Sequence, residues 1–152
     1  MFSKSEATHL RQQFWTTLGQ YLSPIYSSKN EKINWISYKT GVRFISFKMH
    51  ADENAAKMII EIAHTSPGHR MIFYNAFEKL KSEFENTIPF TWIWLKETTD
   101  SHGKVVSVIY SEIHDVNIFN KDNWPEMISF FKTSMIGIDK FWNMHMDIFQ
   151  MI

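Results

Sequence analysis

Hydrophobic and polar positions alternate most regularly between Ile33 and His64. In Arg43–His50, Ile45, Phe47 and Met49 fall on one face and Ser46, Lys48 and His50 on the other. That is the period of a half-buried strand. Lys57–His64 repeats it with Met58, Ile60 and Ile62 inward. The polar Asp52-Glu53-Asn54 between them predicts an antiparallel hairpin. Upstream, Ile33-Asn34-Trp35-Ile36-Ser37-Tyr38 is β-branched and aromatic and ends at Gly41, suited to the positive φ of a tight turn. Three meandering strands are therefore expected.

Elsewhere the period lengthens. Ser3-Lys4-Ser5-Glu6 reads as a capping box, with Leu10, Phe14, Leu18 and Leu22 forming one helical stripe that Pro24 ends. Ser66 and Pro67 suit the cap and first position of a second helix reaching about Thr87. Phe90–Ile113 reads as a second hairpin turning at Asp100-Ser101-His102-Gly103. A long last helix begins near Asp122, with Pro125 in its first turn. Its apolar positions Trp124, Ile128, Phe131, Met135, Ile138, Trp142, Phe149 and Ile152 follow four-and-three spacing, broken by His145. Met127, Phe130, Ile136, Phe141, Met146 and Ile148 widen the stripe beyond what one sheet face usually covers. The last helix is therefore expected to pack on a second copy, with Trp124, Phe131, Met135, Ile138, Trp142 and Phe149 at the homodimer interface.

The whole reads as one α+β domain over residues 1–152. Helix, three strands, helix, two strands and helix give a five-stranded, mainly antiparallel sheet with three helices.

Composition changes little. Apolar residues at 44% and charged residues at 21% are ordinary for a globular chain. Six Trp and thirteen Phe are many, and point to a ring-filled core with some rings at a groove or interface. Sixteen basic residues balance sixteen acidic ones, which removes the simplest argument for a phosphate-binding surface. With no Cys, disulfides and thiolate metal sites are excluded. Met1–Glu6 has no apolar run of the secretory type, and no stretch approaches the about 20 apolar residues of a membrane span. A cytoplasmic protein without membrane contact is expected.

The order helix, three strands, helix, strand resembles the core of the PD-(D/E)XK nucleases. That chemistry needs an acid on one strand and acid-x-Lys on its hairpin partner, to hold Mg²⁺ and activate water. Here Glu61-Ile62-Ala63 puts Ala63 at the Lys position, and the hairpin sets Glu61 opposite Ser46 and Ala63 opposite Phe44. Asp52 lies in the turn. No catalytic residue is assigned, and Glu61 reads as an exposed strand residue. Seven His give no metal site either: His50 and His64 lie at opposite ends of the hairpin, roughly 20 Å apart at about 3.3 Å per residue. No cofactor is implied. Neither a Gly-rich phosphate loop nor a G-x-S-x-G elbow occurs. One cluster carries chemistry: Arg43, His64, Ser66, His69 and Arg70 gather at a predicted helix start, where free amides and the helix dipole favour an anion. Ordinary capping at a strand–helix junction is the plainer reading of the same residues.

The stretches FWTTLGQYLSP (Phe14–Pro24), KINWISYKTG (Lys32–Gly41), IFNKDNWP (Ile118–Pro125) and ISFFK (Ile128–Lys132) together resemble the bacterial family of domain of unknown function 4268. The resemblance covers nearly the whole chain. It brings no established activity and no catalytic residue to transfer. Some relatives follow nuclease-like domains, which implies an accessory role near nucleic acid. The expected function is a non-catalytic binding or assembly domain with a protein or nucleic-acid partner. The alternatives are a diverged nuclease-like enzyme and a small anionic-ligand binder.

Overall fold

The computed structural model describes residues 2–152; Met1, part of the stretch read for a secretory signal, lies outside the described residues. Helix α1 (Lys4–Leu22) is capped by Ser3, whose hydroxyl oxygen accepts from the Glu6 amide at 3.1 Å and donates to Glu6 Oε1 at 3.0 Å. Phe14, Leu18 and Leu22 on its stripe are buried. Strands β1 (Ile45–Ala51) and β2 (Ala55–Ile62) form the expected hairpin in the expected register, with Ser46 opposite Glu61. The Ala63 amide also donates to the Phe44 carbonyl at 2.8 Å. Asp52 shapes the turn: its Oδ1 accepts from the amides of Asn54 and Ala55, and these bonds hold its carboxyl below the usual aspartate range.

Helix α2 (Pro67–Lys79) starts at Ser66, and α3 (Lys81–Thr87) follows it. Strands β3 (Ile93–Thr99) and β4 (Val105–His114) make the second hairpin, turned by Asp100, whose Oδ1 accepts from the amides of His102 and Lys104 at 2.9 Å each. Gly103 takes φ +79° there. A 3-10 turn (Lys121–Asn123) leads into α4 (Trp124–Gln150). The sheet is antiparallel throughout in the order β1-β2-β4-β3.

Three sequence expectations are corrected. The described residues hold four strands and four α-helices, not five and three. Ile33–Tyr38 is not a strand, because its polar groups are used locally: Asn34 Oδ1 accepts from the Ile36 and Ser37 amides, an Asx turn that bends the chain, and Trp35 Nε1 donates to the Ile25 carbonyl. The three-strand run behind the nuclease-core resemblance is thereby reduced to two. The helix expected from Ser66 to Thr87 breaks at Leu80 (φ −102°, ψ 10°), where the Leu80 amide turns back to the carbonyls of Glu78 and Phe77.

Helix α4 explains its own breadth. All helices lie on one sheet face, and α4 is central among them. On one flank Phe131 meets Phe14 and Trp15 of α1; on the other Phe141 meets Phe77 of α2 and Phe84 of α3. Trp142 reaches Phe47 of the sheet edge-on at 5.4 Å. Gly137 lets α4 pass Ile88, since a Cβ there would sit 2.7 Å from Ile88 Cγ1. Trp124, Phe131, Met135, Ile138, Trp142 and Phe149, expected at a homodimer interface, are all buried inside the chain's own core. The stripe is wide because it faces a sheet and two helical flanks.

Candidate functional site

The five residues read from sequence as an anion site lie together at one end of the β1–β2 hairpin. Ser66 follows β2 by a few residues, so the chain turns directly from strand into helix and delivers the α2 amides to this end. Ser66 Oγ accepts from the His69 amide, and the Ser66 amide donates to His64 Nδ1 at 3.0 Å. That bond fixes the His64 ring, and the His69 ring lies parallel to it, 9° and 4.7 Å between centroids. Phe44 packs on the His64 ring at 4.3 Å, and the Arg43 guanidinium lies 4.8 Å over the Phe44 ring. The result is a short pile of flat groups, Arg43–Phe44–His64–His69. Its two end members, Arg43 and His69, are exposed. Phe44 takes φ +73°, a left-handed conformation that costs a non-glycine residue energy.

Arg70 is 3% exposed. It donates through Nη1 to the His64 carbonyl at 3.0 Å, and its Nη2 lies 3.5 Å from Glu97 Oε1. Its Nε is buried without a hydrogen-bond partner. Loss of solvent, then the positive charges of His69, Arg43, Arg70 and Lys104, hold the His64 imidazole below its ordinary value. An anion at this spot reverses the charge part of that balance. Gly41–Phe44, His64, His69, Phe73, Phe149, Gln150 and Ile152 line a cleft of about 270 Å³ beside the pile.

A second cleft, of about 500 Å³, adjoins it and was missed by sequence reasoning. Its wall is the connector between α1 and β1, and its floor is α4. At its base Asp139, 2% exposed, accepts from the Tyr38 hydroxyl at 2.6 Å, the Ser28 amide at 2.8 Å and Asn143 Nδ2 at 3.0 Å. Burial and the bond to this carboxylate push the Tyr38 hydroxyl pKa far up. Trp142 Nε1 donates to the Thr40 carbonyl at 2.7 Å. In the sequence Asp139 looks like an ordinary helix-surface charge; its neighbours Ile138 and Trp142 on the buried stripe are the only hint otherwise.

Glu61 stands on the sheet face away from the helices, and its side chain, expected from sequence to be exposed, is only 12% exposed. Its partner is Lys48 Nζ at 2.8 Å, from the neighbouring strand. A metal-dependent nuclease centre needs a second acid across the ladder, and that position is Ser46. Among the described residues no three His, Asp or Glu side chains are grouped to hold a metal ion. Two further lysines do not join this pair: Lys39 is on the connector and Lys96 on β3, where its carbonyl accepts from Ser107 Oγ. His50 lies 3.5 Å from Asp52, and His145 Nε2 lies 3.0 Å from Glu83 Oε1, too poorly aligned for a hydrogen bond.

Fold and site together define a small α+β domain whose helices cover one sheet face and whose basic, ring-stacked cluster opens at the start of α2. The chain belongs to the family described as Domain of unknown function (DUF4268), which it matches over residues 10–146. No curated protein and no solved structure matches it. Among the described residues no helix is long and apolar enough to cross a membrane.

Proposed function

We propose that the chain is a non-catalytic binding domain that takes an anionic group of its partner on Arg43, His64, Ser66, His69 and Arg70. The observation that carries this reading is the convergence of two arginines and two histidines on one helix start. Glu97 meets Arg70 there from a mostly solvent-exposed position. The α2 amides and helix dipole add to the attraction. The test is a titration with inorganic phosphate followed through the His64 and His69 imidazole resonances. Both are expected to shift in the wild type and to respond at least several-fold more weakly in Arg43→Ala. Unshifted rings at millimolar phosphate would sink the reading.

An assembly role has a separate support. Ile72 on α2 and Ile148 and Ile152 at the end of the chain are exposed, and with Ala76 and Leu80 they line one shallow apolar hollow. A homodimer would use this patch rather than the buried seam of α4. Light scattering should then give twice the chain mass for the wild type and a monomer for Ile148→Lys. A monomeric wild type at micromolar concentration removes this second reading.

A further inference from the structure

Gly41 and Gln150 line both clefts, so the two run into one another past Gly41. Lys29, Lys32 and Lys39 stand exposed along the larger cleft, and Arg43 and His69 stand exposed at the smaller. Two acids belong to this groove. Glu31 is exposed, but Asp139 is sealed beneath its three hydrogen bonds. Residues 29–43 thus carry four basic side chains against one acid, within a chain whose charges cancel as a whole. The groove also has a feature that plain charge does not explain: the pile Arg43–Phe44–His64–His69 ends at each side in an exposed flat cation or ring. Such ends are extended by further flat groups, and nucleobases stack on aromatic and guanidinium planes whatever their sequence.

Resting on the anion-site reading above, we infer that a single-stranded nucleic acid lies along this groove. A base stacks at the exposed end of the pile beside the α2 start, where one phosphate is held. The strand's backbone continues past Gly41 over Lys39, Lys32 and Lys29. An acidic peptide matches the lysines but leaves the ring faces unused.

The test is the binding of a short labelled oligothymidine by fluorescence anisotropy, across about 50 to 200 mM salt. Three proteins are compared: wild type, Lys32→Ala/Lys39→Ala and Arg43→Ala/His69→Ala. The lysine variant is expected to bind about tenfold more weakly at low salt. Its salt dependence should be shallower by about 1.4 in log–log slope, two contacts at about 0.7 each. Its His64 response to inorganic phosphate should be unchanged. The Arg43/His69 variant should lose affinity for both ligands. Oligothymidine binding that ignores the lysine substitutions overturns the inference, and so does polyglutamate binding as tightly as oligothymidine. Phosphate shifting the rings with no oligonucleotide bound overturns it while sparing the anion site; no response to either ligand removes both.

Discussion

The Asp139 carboxylate accepts the Tyr38 hydroxyl at 2.6 Å, across 101 positions of the chain. With the Ser28 amide on its other oxygen, this one side chain fastens both halves of the α1–β1 connector to α4. Tyr38→Phe removes a hydrogen bond to a charged group and should cost about 1.5–3 kcal/mol. Asp139→Ala also strands the Ser28 amide and should cost more; urea unfolding measures both. The pKa of the Tyr38 hydroxyl is raised in the folded state, so its stabilisation is complete below the ordinary tyrosine value of 10.0 and is lost as pH climbs above it. Wild-type stability should therefore fall more steeply than that of Tyr38→Phe at alkaline pH.

Gly137 and Ile88 give a prediction that changes sign. Alanine in a helix interior gains about 1 kcal/mol over glycine. Here, however, its Cβ would fall 2.7 Å from Ile88 Cγ1 in a packed core. Overpacking costs about 1–3 kcal/mol, so Gly137→Ala should destabilise the wild type. In an Ile88→Ala background the obstructing atom is gone, and the same substitution should stabilise by about 1 kcal/mol. A double-mutant cycle by chemical denaturation reads the reversal.

Glu61 should matter modestly. Its pair with Lys48 joins a half-exposed lysine to a carboxylate only 12% exposed, and a hydrogen bond to a charged group contributes about 1.5–3 kcal/mol. Glu61→Gln is expected to unfold within that margin of the wild type, and to bind ligand at the α2 start unchanged. Mg²⁺-dependent nucleic-acid cleavage abolished by this substitution is the result that contradicts the non-catalytic reading.

Anion affinity should depend on pH through His64. Loss of solvent and then the neighbouring cations depress its pKa, and a bound anion offsets the cations' part, so binding takes up a proton. Affinity for a phosphodiester, whose own charge is constant, should rise as pH falls below the ordinary histidine value of 6.5. It should level off once His64 is protonated in the free protein. His64→Gln should flatten the profile.

Where local pattern decided the structure, it was readable. The Ser3 and Ser66 caps, the Asp52 and Asp100 turns and the pairing of Ser46 with Glu61 all follow from residues near in sequence. The gathering of Arg43 with His64 follows from the same register, since both stand just beyond paired positions of one hairpin. Ile33–Tyr38 misleads because strand-like composition says nothing of whether a sheet edge has room for it, while Asn34 and Trp35 already have partners nearby. The α4 stripe misleads differently: its width is real, but only coordinates reveal two helical flanks. Asp139 was illegible because its partners, Ser28 and Tyr38, lie more than a hundred positions away.

The connector that walls both clefts has no ladder of its own. It hangs from Asp139, Trp142 and Asn143, three side chains on a single turn of one helix. Its order is borrowed, and a disturbance of that turn reaches both ends of the groove at once. Amide exchange in residues 27–42 should therefore report on the back half of α4 more faithfully than on the sheet beside it.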